Sequence, residues 1–314
     1  MAKFRIKRYN PEKQADPYYE EFEFDIPEGA TLLDCLNHIK WNVDGSLTYR
    51  MSCRSAICGS CGMKVNGHAL LACQKQAVHL LKDGSDTITI EPLGNMAPIK
   101  DLVVDFKPFW DKVERIKPYL ENKEKPPKQE RLQSPHEFKK IDATTTCIMC
   151  GNCYSDCHVL EVDDNFLGPA ALAKAQRFVE DSRDQETRSR IKELSKPGGM
   201  WDCTHCGECV ERCPKPAQPF YRIKELMAVG LKEKVNNNNG ARHALSFVNS
   251  VKHSGRLNEN KIPIESVGYF NIKGLLDLLP VGLRMLFKWK IPPLIHKPID
   301  DVKDVRRIFE EFGE

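Results

Sequence analysis

Two cysteine runs in the second half of this 314-residue chain constrain its fold more than any other feature. One reads Cys147-Ile148-Met149-Cys150-Gly151-Asn152-Cys153-Tyr154-Ser155-Asp156-Cys157. The other reads Cys203-Thr204-His205-Cys206-Gly207-Glu208-Cys209-Val210-Glu211-Arg212-Cys213-Pro214. Both have the spacing C-x2-C-x2-C-x3-C, in which three thiolates wrap one cubane iron–sulfur cluster and the fourth ligates the neighbouring cluster. A tight turn presents three sulfurs to three irons, so the remaining iron must be held from elsewhere. Ligand exchange then assigns Cys147, Cys150, Cys153 and Cys213 to one [4Fe–4S] cluster, and Cys203, Cys206, Cys209 and Cys157 to a second. The competing reading is structural zinc, which binds paired C-x2-C knuckles. Zinc would use two such pairs and has no need of four cysteines in one short run.

A third set lies upstream. Tyr49-Arg50-Met51-Ser52-Cys53-Arg54-Ser55-Ala56-Ile57-Cys58-Gly59-Ser60-Cys61, followed by Cys73, has the C-x4-C-x2-C…C spacing of a [2Fe–2S] site. Ser55, Ala56, Gly59, Ser60 and Gly62 are small where backbone amides must point at sulfur, and such amides tune the reduction potential. Asn66-Gly67 predicts a two-residue hairpin turn that returns the chain to Cys73. Alternation at Phe4, Ile6 and Arg8, at Phe22 to Ile26 and at Thr87 to Glu91 predicts strands, with a polar loop over residues 10–20. Thr31 is placed to cap a helix whose apolar face is Leu32, Leu33, Leu36 and Ile39. Cys35, in that helix, has no second cysteine at ligand spacing and reads as a core residue.

Farther on, Ile99 to Asp105 and Phe109 to Val113 are expected to be helical, and the charged, proline-containing stretch Glu121 to Pro135 to be an exposed connector. Gly168-Pro169 marks a helix start, Ile191 and Leu194 a second helix, and Tyr221 to Leu231 another. Asn236 to Gly240 reads as a turn or linker.

Composition narrows the class. A net charge of +3 argues for neither nucleic acid nor an anionic surface as partner of the whole chain. Thirteen cysteines would mean a disulfide scaffold only in a short secreted chain. The N-terminus shows no signal-peptide apolar core, and no run approaches the ~20 apolar residues of a membrane span. A cytoplasmic protein, soluble or peripheral, is expected. Export together with a partner bearing its own signal is compatible with the sequence.

Residues 1–230 resemble the iron–sulfur subunit of succinate dehydrogenase and fumarate reductase. The resemblance rests on Ser52 to Gly62, Pro98-Ile99-Lys100-Asp101-Leu102-Val103-Val104-Asp105, Ile116-Lys117-Pro118-Tyr119-Leu120 and the first cubane run. It implies an α+β chain with a β-grasp [2Fe–2S] ferredoxin domain followed by an all-α two-cluster ferredoxin domain, which the chain's own pattern places at 1–105 and 106–235. Residues 236–314 are a helical or extended C-terminal extension for partner docking, and 241–314 are not part of the usual subunit of that family. The resemblance also implies a flavoprotein partner with covalent FAD, where succinate and fumarate interconvert, and electron transfer between that flavin and quinone. Two departures matter. The family commonly has an apolar residue at the position of Cys206 and a [3Fe–4S] cluster there; Cys206 points to a second [4Fe–4S] cluster. The family also has proline and tryptophan after the first run, where this chain has His158 and Val159-Leu160-Glu161-Val162, so the usual quinone pocket beside that cluster is not expected.

The tail is similar to that of the two-cluster subunit of heterodisulfide reductases, at Gly240-Ala241-Arg242-His243-Ala244, Phe247-Val248 and Gly255-Arg256-Leu257-Asn258-Glu259. That family delivers electrons to a subunit built of CCG repeats. Leu275 to Lys290 is apolar with a basic end and suits either a membrane surface or a protein partner. Pro280 and Gly282 interrupt the stripe and favour the partner.

The expected function is therefore electron transfer in a succinate:quinone oxidoreductase, with no substrate site of the chain's own. Electrons pass through one [2Fe–2S] and two [4Fe–4S] clusters to a CCG-type subunit and quinone. The complex is expected at the inner face of the cytoplasmic membrane, held there through partner subunits. A fumarate reductase working from menaquinol or a thiol pair uses the same wire in reverse. A heterodisulfide-reductase-like module for another dehydrogenase is the alternative of a different class.

Overall fold

A computed structural model describes residues 1–81, 84–293 and 297–312, and the chain divides into two compact units, Met1–Leu226 and Met227–Glu314. In the first unit β1 (Ala2–Asn10) and β2 (Gln14–Phe24) form an antiparallel pair. The helix α1 (Leu32–Asn42), the hairpin β3 (Gly62–Val65) and β4 (His68–Leu71), and β5 (Thr87–Glu91) complete a β-grasp domain. The strand order is β2-β1-β5-β3-β4, with β1 and β5 parallel. Phe4, Ile6, Ile88 and Ile90 from the sheet meet Leu32, Leu33, Leu36 and Ile39 of α1 in one buried cluster. Thr31 caps α1 through a reciprocal box with Asp34, and Cys35 is buried there as expected. Burial pushes its thiol up to about 11, with the Asp34 charge adding to the effect.

Two sequence expectations are corrected. Residues 14–20, expected in a loop, are strand. Pro17 is tolerated because β2 lies at the sheet edge and the register slips between Arg8 and Asn10, leaving its missing N–H without consequence. Ile99 to Asp105 is not helical; it contains a small hairpin, β6 (Pro98–Lys100) and β7 (Val103–Val104), turning at Asp101 with φ 45°. The cause is long-range. The buried Asp101 carboxylate accepts from Arg8 Nε (3.0 Å), Tyr9 N (3.1 Å) and Thr48 N (2.8 Å).

The rest of the unit is largely helical: α2 (Lys107–Arg115), α3 (Pro135–Thr145), α4 (Asn152–Ser155), α5 (Gly168–Val179), α6 (Thr187–Leu194), α7 (Glu208–Glu211) and the first part of α8 (Pro219–Lys232), which continues past the boundary at Leu226. Buried Arg190 of α6 ties the Ile116–Tyr119 segment down, donating to the carbonyls of Ile116 (3.0 Å), Lys117 (2.8 Å) and Tyr119 (2.7 Å). Asp184 neutralises it at 2.9 Å. Residues 121–134 are an irregular, mostly exposed connector, as predicted.

The second unit holds α9 (Asn239–Ser254), α10 (Lys261–Val267), α11 (Ile272–Phe287) and α12 (Val302–Phe312). Asn238 caps α9 by accepting from Ala241 N, so part of the expected Asn236–Gly240 linker is a helix start. Pro280 sits inside α11 without ending it, against the expectation that it would break the stripe.

Candidate iron–sulfur centres

The loop before β3 folds around sulfur because its backbone takes left-handed values at Arg54 (φ 58°), Ala56 (φ 56°) and Gly59 (φ 75°), turning amides inward. Cys53 Sγ accepts from the N–H groups of Ser55 (3.4 Å), Ile57 (3.3 Å) and Cys58 (3.2 Å). These bonds, that from Ser55 foremost, draw the Cys53 thiol down to about 6. Cys73, just beyond β4, accepts from Ala56 N at 3.2 Å, and Cys58 Sγ lies 3.2 Å from Ser60 Oγ. The hairpin turns at Asn66 (φ 50°) and Gly67 (φ 86°), the backbone that the Asn-Gly pair predicts. The structure thus brings Cys53, Cys58, Cys61 and Cys73 to one loop. Cys61 and Cys73 are buried beneath it and Cys58 is exposed.

The two cubane runs have nearly the same backbone. In each, the residue before the second cysteine and the glycine after it are left-handed: Met149 and Gly151 (φ 55° and 80°), His205 and Gly207 (φ 59° and 82°). A single helical turn follows, α4 or α7, carrying the third cysteine. The fourth cysteine of each run crosses over. One cavity is lined by Cys147, Cys150, Cys153 and Cys213, with Ala170, Ala173 and Pro219 among its walls. The other is lined by Cys157, Cys203, Cys206 and Cys209, with Val159, Phe166 and Ile223.

The donor chemistry fits iron–sulfur clusters. Both cavities offer four sulfurs in almost wholly apolar walls. Burial pushes the Cys150 and Cys209 thiols up to about 12 and raises Cys153, Cys157 and Cys203. Thiolates so disfavoured by burial are stabilised by bound metal, which must deprotonate its ligands. Iron–sulfur clusters held there would supply one-electron transfer at potentials set by burial and by hydrogen bonds to sulfur.

The [2Fe–2S] loop packs directly on the first cubane run. A Cβ added at Gly59 would stand 2.7 Å from Cys150 Cβ, and one at Gly62 2.8 Å from Asn152 Oδ1. Two polar residues that sequence reasoning did not single out hold this junction, and a third is buried in it. Asn95 Nδ2 donates to the carbonyls of Tyr154 (2.9 Å), Ser155 (3.1 Å) and Cys157 (3.0 Å). Buried Asp156 accepts from Ala69 N at 2.8 Å and faces Arg212, beside Cys213, at 3.5 Å. Asn152 is fully buried, with neither amide atom bonded to protein. Asp156 and Asn152 stand between cysteines of the first run, which was the available signal.

Residues 3–111 match the 2Fe-2S iron-sulfur cluster binding domain, and residues 143–217 the 4Fe-4S dicluster domain. The chain is 37% identical over 271 residues to the 8-methylmenaquinol:fumarate reductase iron-sulfur subunit of Wolinella succinogenes, a match covering 85% of this chain and 84% of that one. It is 40% identical over 221 residues to the fumarate reductase iron-sulfur subunit of Mycobacterium tuberculosis, covering 70% and 88%. Against the succinate dehydrogenase iron-sulfur subunit of Coxiella burnetii it is 36% identical over 233 residues, covering 73% and 97%. A chain of the Mycobacterium smegmatis Sdh1 complex in the apo form shares the fold, with TM-score 0.63 at 22% identity over 74% of this chain and 97% of that one. The two domains, the three gathered cysteine quartets and these relatives lead to one conclusion: the chain belongs to the iron–sulfur subunits of succinate dehydrogenase and fumarate reductase, the electron-transfer subunits of those oxidoreductases.

Proposed function

We propose that the chain links an FAD-containing flavoprotein subunit to a CCG-repeat subunit and, through it, to quinone. The site of Cys53, Cys58, Cys61 and Cys73 holds a [2Fe–2S] cluster and exchanges electrons with the flavoprotein. That of Cys147, Cys150, Cys153 and Cys213 holds the first [4Fe–4S] cluster. That of Cys203, Cys206, Cys209 and Cys157 holds the second, at the acceptor end. In the succinate-oxidising direction electrons run through the three sites in that order. The observation that carries this reading is the crossing of Cys157 and Cys213 between the two cavities. Exposed cysteines at either end, Cys58 and Cys206, suit a wire whose two termini meet other proteins. Cys206 joins three other cysteines in its cavity, and this favours a [4Fe–4S] over a [3Fe–4S] cluster there.

The reverse direction, from quinol to fumarate, has one observation in its favour. A match covering 85% of the chain must run past residue 260 wherever it begins, so the Wolinella relative, named for quinol-linked fumarate reduction, shares at least the first part of the tail. The Mycobacterium and Coxiella relatives cover 70% and 73% of the chain. The partners proposed at each end are the same in either direction.

Cys206→Ser tests the cluster assignment. The oxidised variant, purified without oxygen, is expected to show the EPR signal of a [3Fe–4S] cluster that the parent lacks. A parent that already shows this signal as its principal oxidised species contradicts the assignment.

A further inference from the structure

Helix α11 presents a surface that electron transfer does not use. It runs unbroken from Ile272 to Phe287 with Pro280 inside it, and none of its residues is buried. At about 100° per residue, the charged residues Lys273, Asp277, Arg284 and Lys288 all fall within one narrow sector. Leu275, Leu279 and Leu286 lie opposite, flanked by Met285 and Val281 on one side and by Leu276 and Phe287 on the other, so the apolar arc takes up more than half of the circumference. Leu279 is 54% exposed, Leu286 52%, Phe287 79% and Trp289 95%. Exposed apolar surface of this continuity marks an interaction site.

The chemistry favours a lipid surface over a protein groove. The polar sector carries three cations against one anion, and Lys290 follows, which complements anionic headgroups. Phe287 and Trp289 sit among Arg284, Lys288 and Lys290, the pairing of aromatic and basic side chains found at headgroup depth. Sixteen residues fall short of the ~20 that a span needs, and no helix among the described residues is long and apolar enough to cross a membrane. Too short to span, and with all its charges on one face, such a helix is suited to the plane of the interface. We propose that α11 lies along an anionic bilayer surface with Leu279, Leu283 and Leu286 inserted and Lys273, Arg284 and Lys288 at the headgroups. The chain itself then contributes a membrane contact, independent of any anchor supplied by a partner.

The test uses the full cluster-loaded chain, handled without oxygen. It is sedimented with vesicles of phosphatidylcholine alone and of phosphatidylcholine mixed with phosphatidylglycerol. The parent is expected to sediment with the mixed vesicles, less so as salt rises, with a blue shift of Trp289 emission that Trp289→Phe removes. Leu279→Glu with Leu286→Glu is expected to cut binding at least tenfold while the visible spectrum of the clusters is unchanged. Both positions are exposed, so folding tolerates the change. Failure of the parent to bind mixed vesicles at low salt overturns the proposal, as does binding that survives the double substitution. In the first case the face is left to a protein partner; in the second the lipid contact lies elsewhere on the chain.

Discussion

The approach of the [2Fe–2S] loop to the first cubane run turns on single residues. Gly59 combines a left-handed backbone with a would-be Cβ 2.7 Å from Cys150 Cβ. A side chain there is strained by conformation and blocked by a neighbour whose backbone is fixed in its own cluster loop. Gly59→Ala is expected to cost about 1–3 kcal/mol in stability and to push the two loops apart. Because electron transfer falls steeply with distance, reduction of the cubane sites through the [2Fe–2S] site should slow, read by freeze-quench EPR. Unchanged kinetics would mean that this contact does not set the path. The cysteine quartets could be read from the sequence because ligand spacing is local and the turns that carry them recur, as Met149 with Gly151 and His205 with Gly207 show. Asp156 and Arg8 could not. Asp156 acts by accepting from Ala69 and facing Arg212, and Arg8, paired with Asp44 and Asp101, looked like one more alternating strand position.

At the scale of elements, the capped helix α1, the Asn-Gly hairpin and the Gly-Pro start of α5 followed from chemistry within a few residues. The elements that differed depend on distant partners or on exposure. β2 accepts Pro17 because it is an edge strand with a register slip. The β6–β7 hairpin is held by the carboxylate of Asp101 on residues from two other segments, and α11 carries its proline at an exposed position. Helix α8 offers a test by pH. Its Glu225 carboxyl is raised above the usual 4.5 by burial, Arg222 pulling it the other way. Gln176 Nε2 donates to it at 2.8 Å. A carboxyl with a raised folded pKa makes the folded state bind the extra proton, so its contribution to stability is fullest below 4.5 and declines as pH rises through the folded value. Glu225→Gln keeps an acceptor for Gln176 and removes the titration. Its denaturation midpoint should therefore fall less than the parent's between pH 4.5 and 7. Parallel pH profiles would show that the charge is as well solvated in the fold as outside it.

At the scale of the molecule, the division of labour follows where the cysteines stop. All thirteen lie at or before Cys213, within the unit Met1–Leu226, and the unit Met227–Glu314 contains none. A segment without ligands cannot hold a cluster of this kind, yet it carries exposed apolar surface such as Tyr269 and Phe270 in the turn between α10 and α11, 63% and 99% exposed. We propose that the first unit conducts and the second attaches. Ending the chain at Val235, after α8, isolates the two roles. The shortened chain should retain about ten irons, the sum for one [2Fe–2S] and two [4Fe–4S] clusters, with an unaltered visible spectrum and EPR signature. It should still be reduced through the flavoprotein, because no proposed ligand and no residue of the Cys58 loop has been removed. It should no longer co-purify with the acceptor subunit. Loss of iron on truncation would show instead that the second unit supports the cluster fold, and retained co-purification would show that the exposed rim around Cys206 holds the acceptor without the second unit.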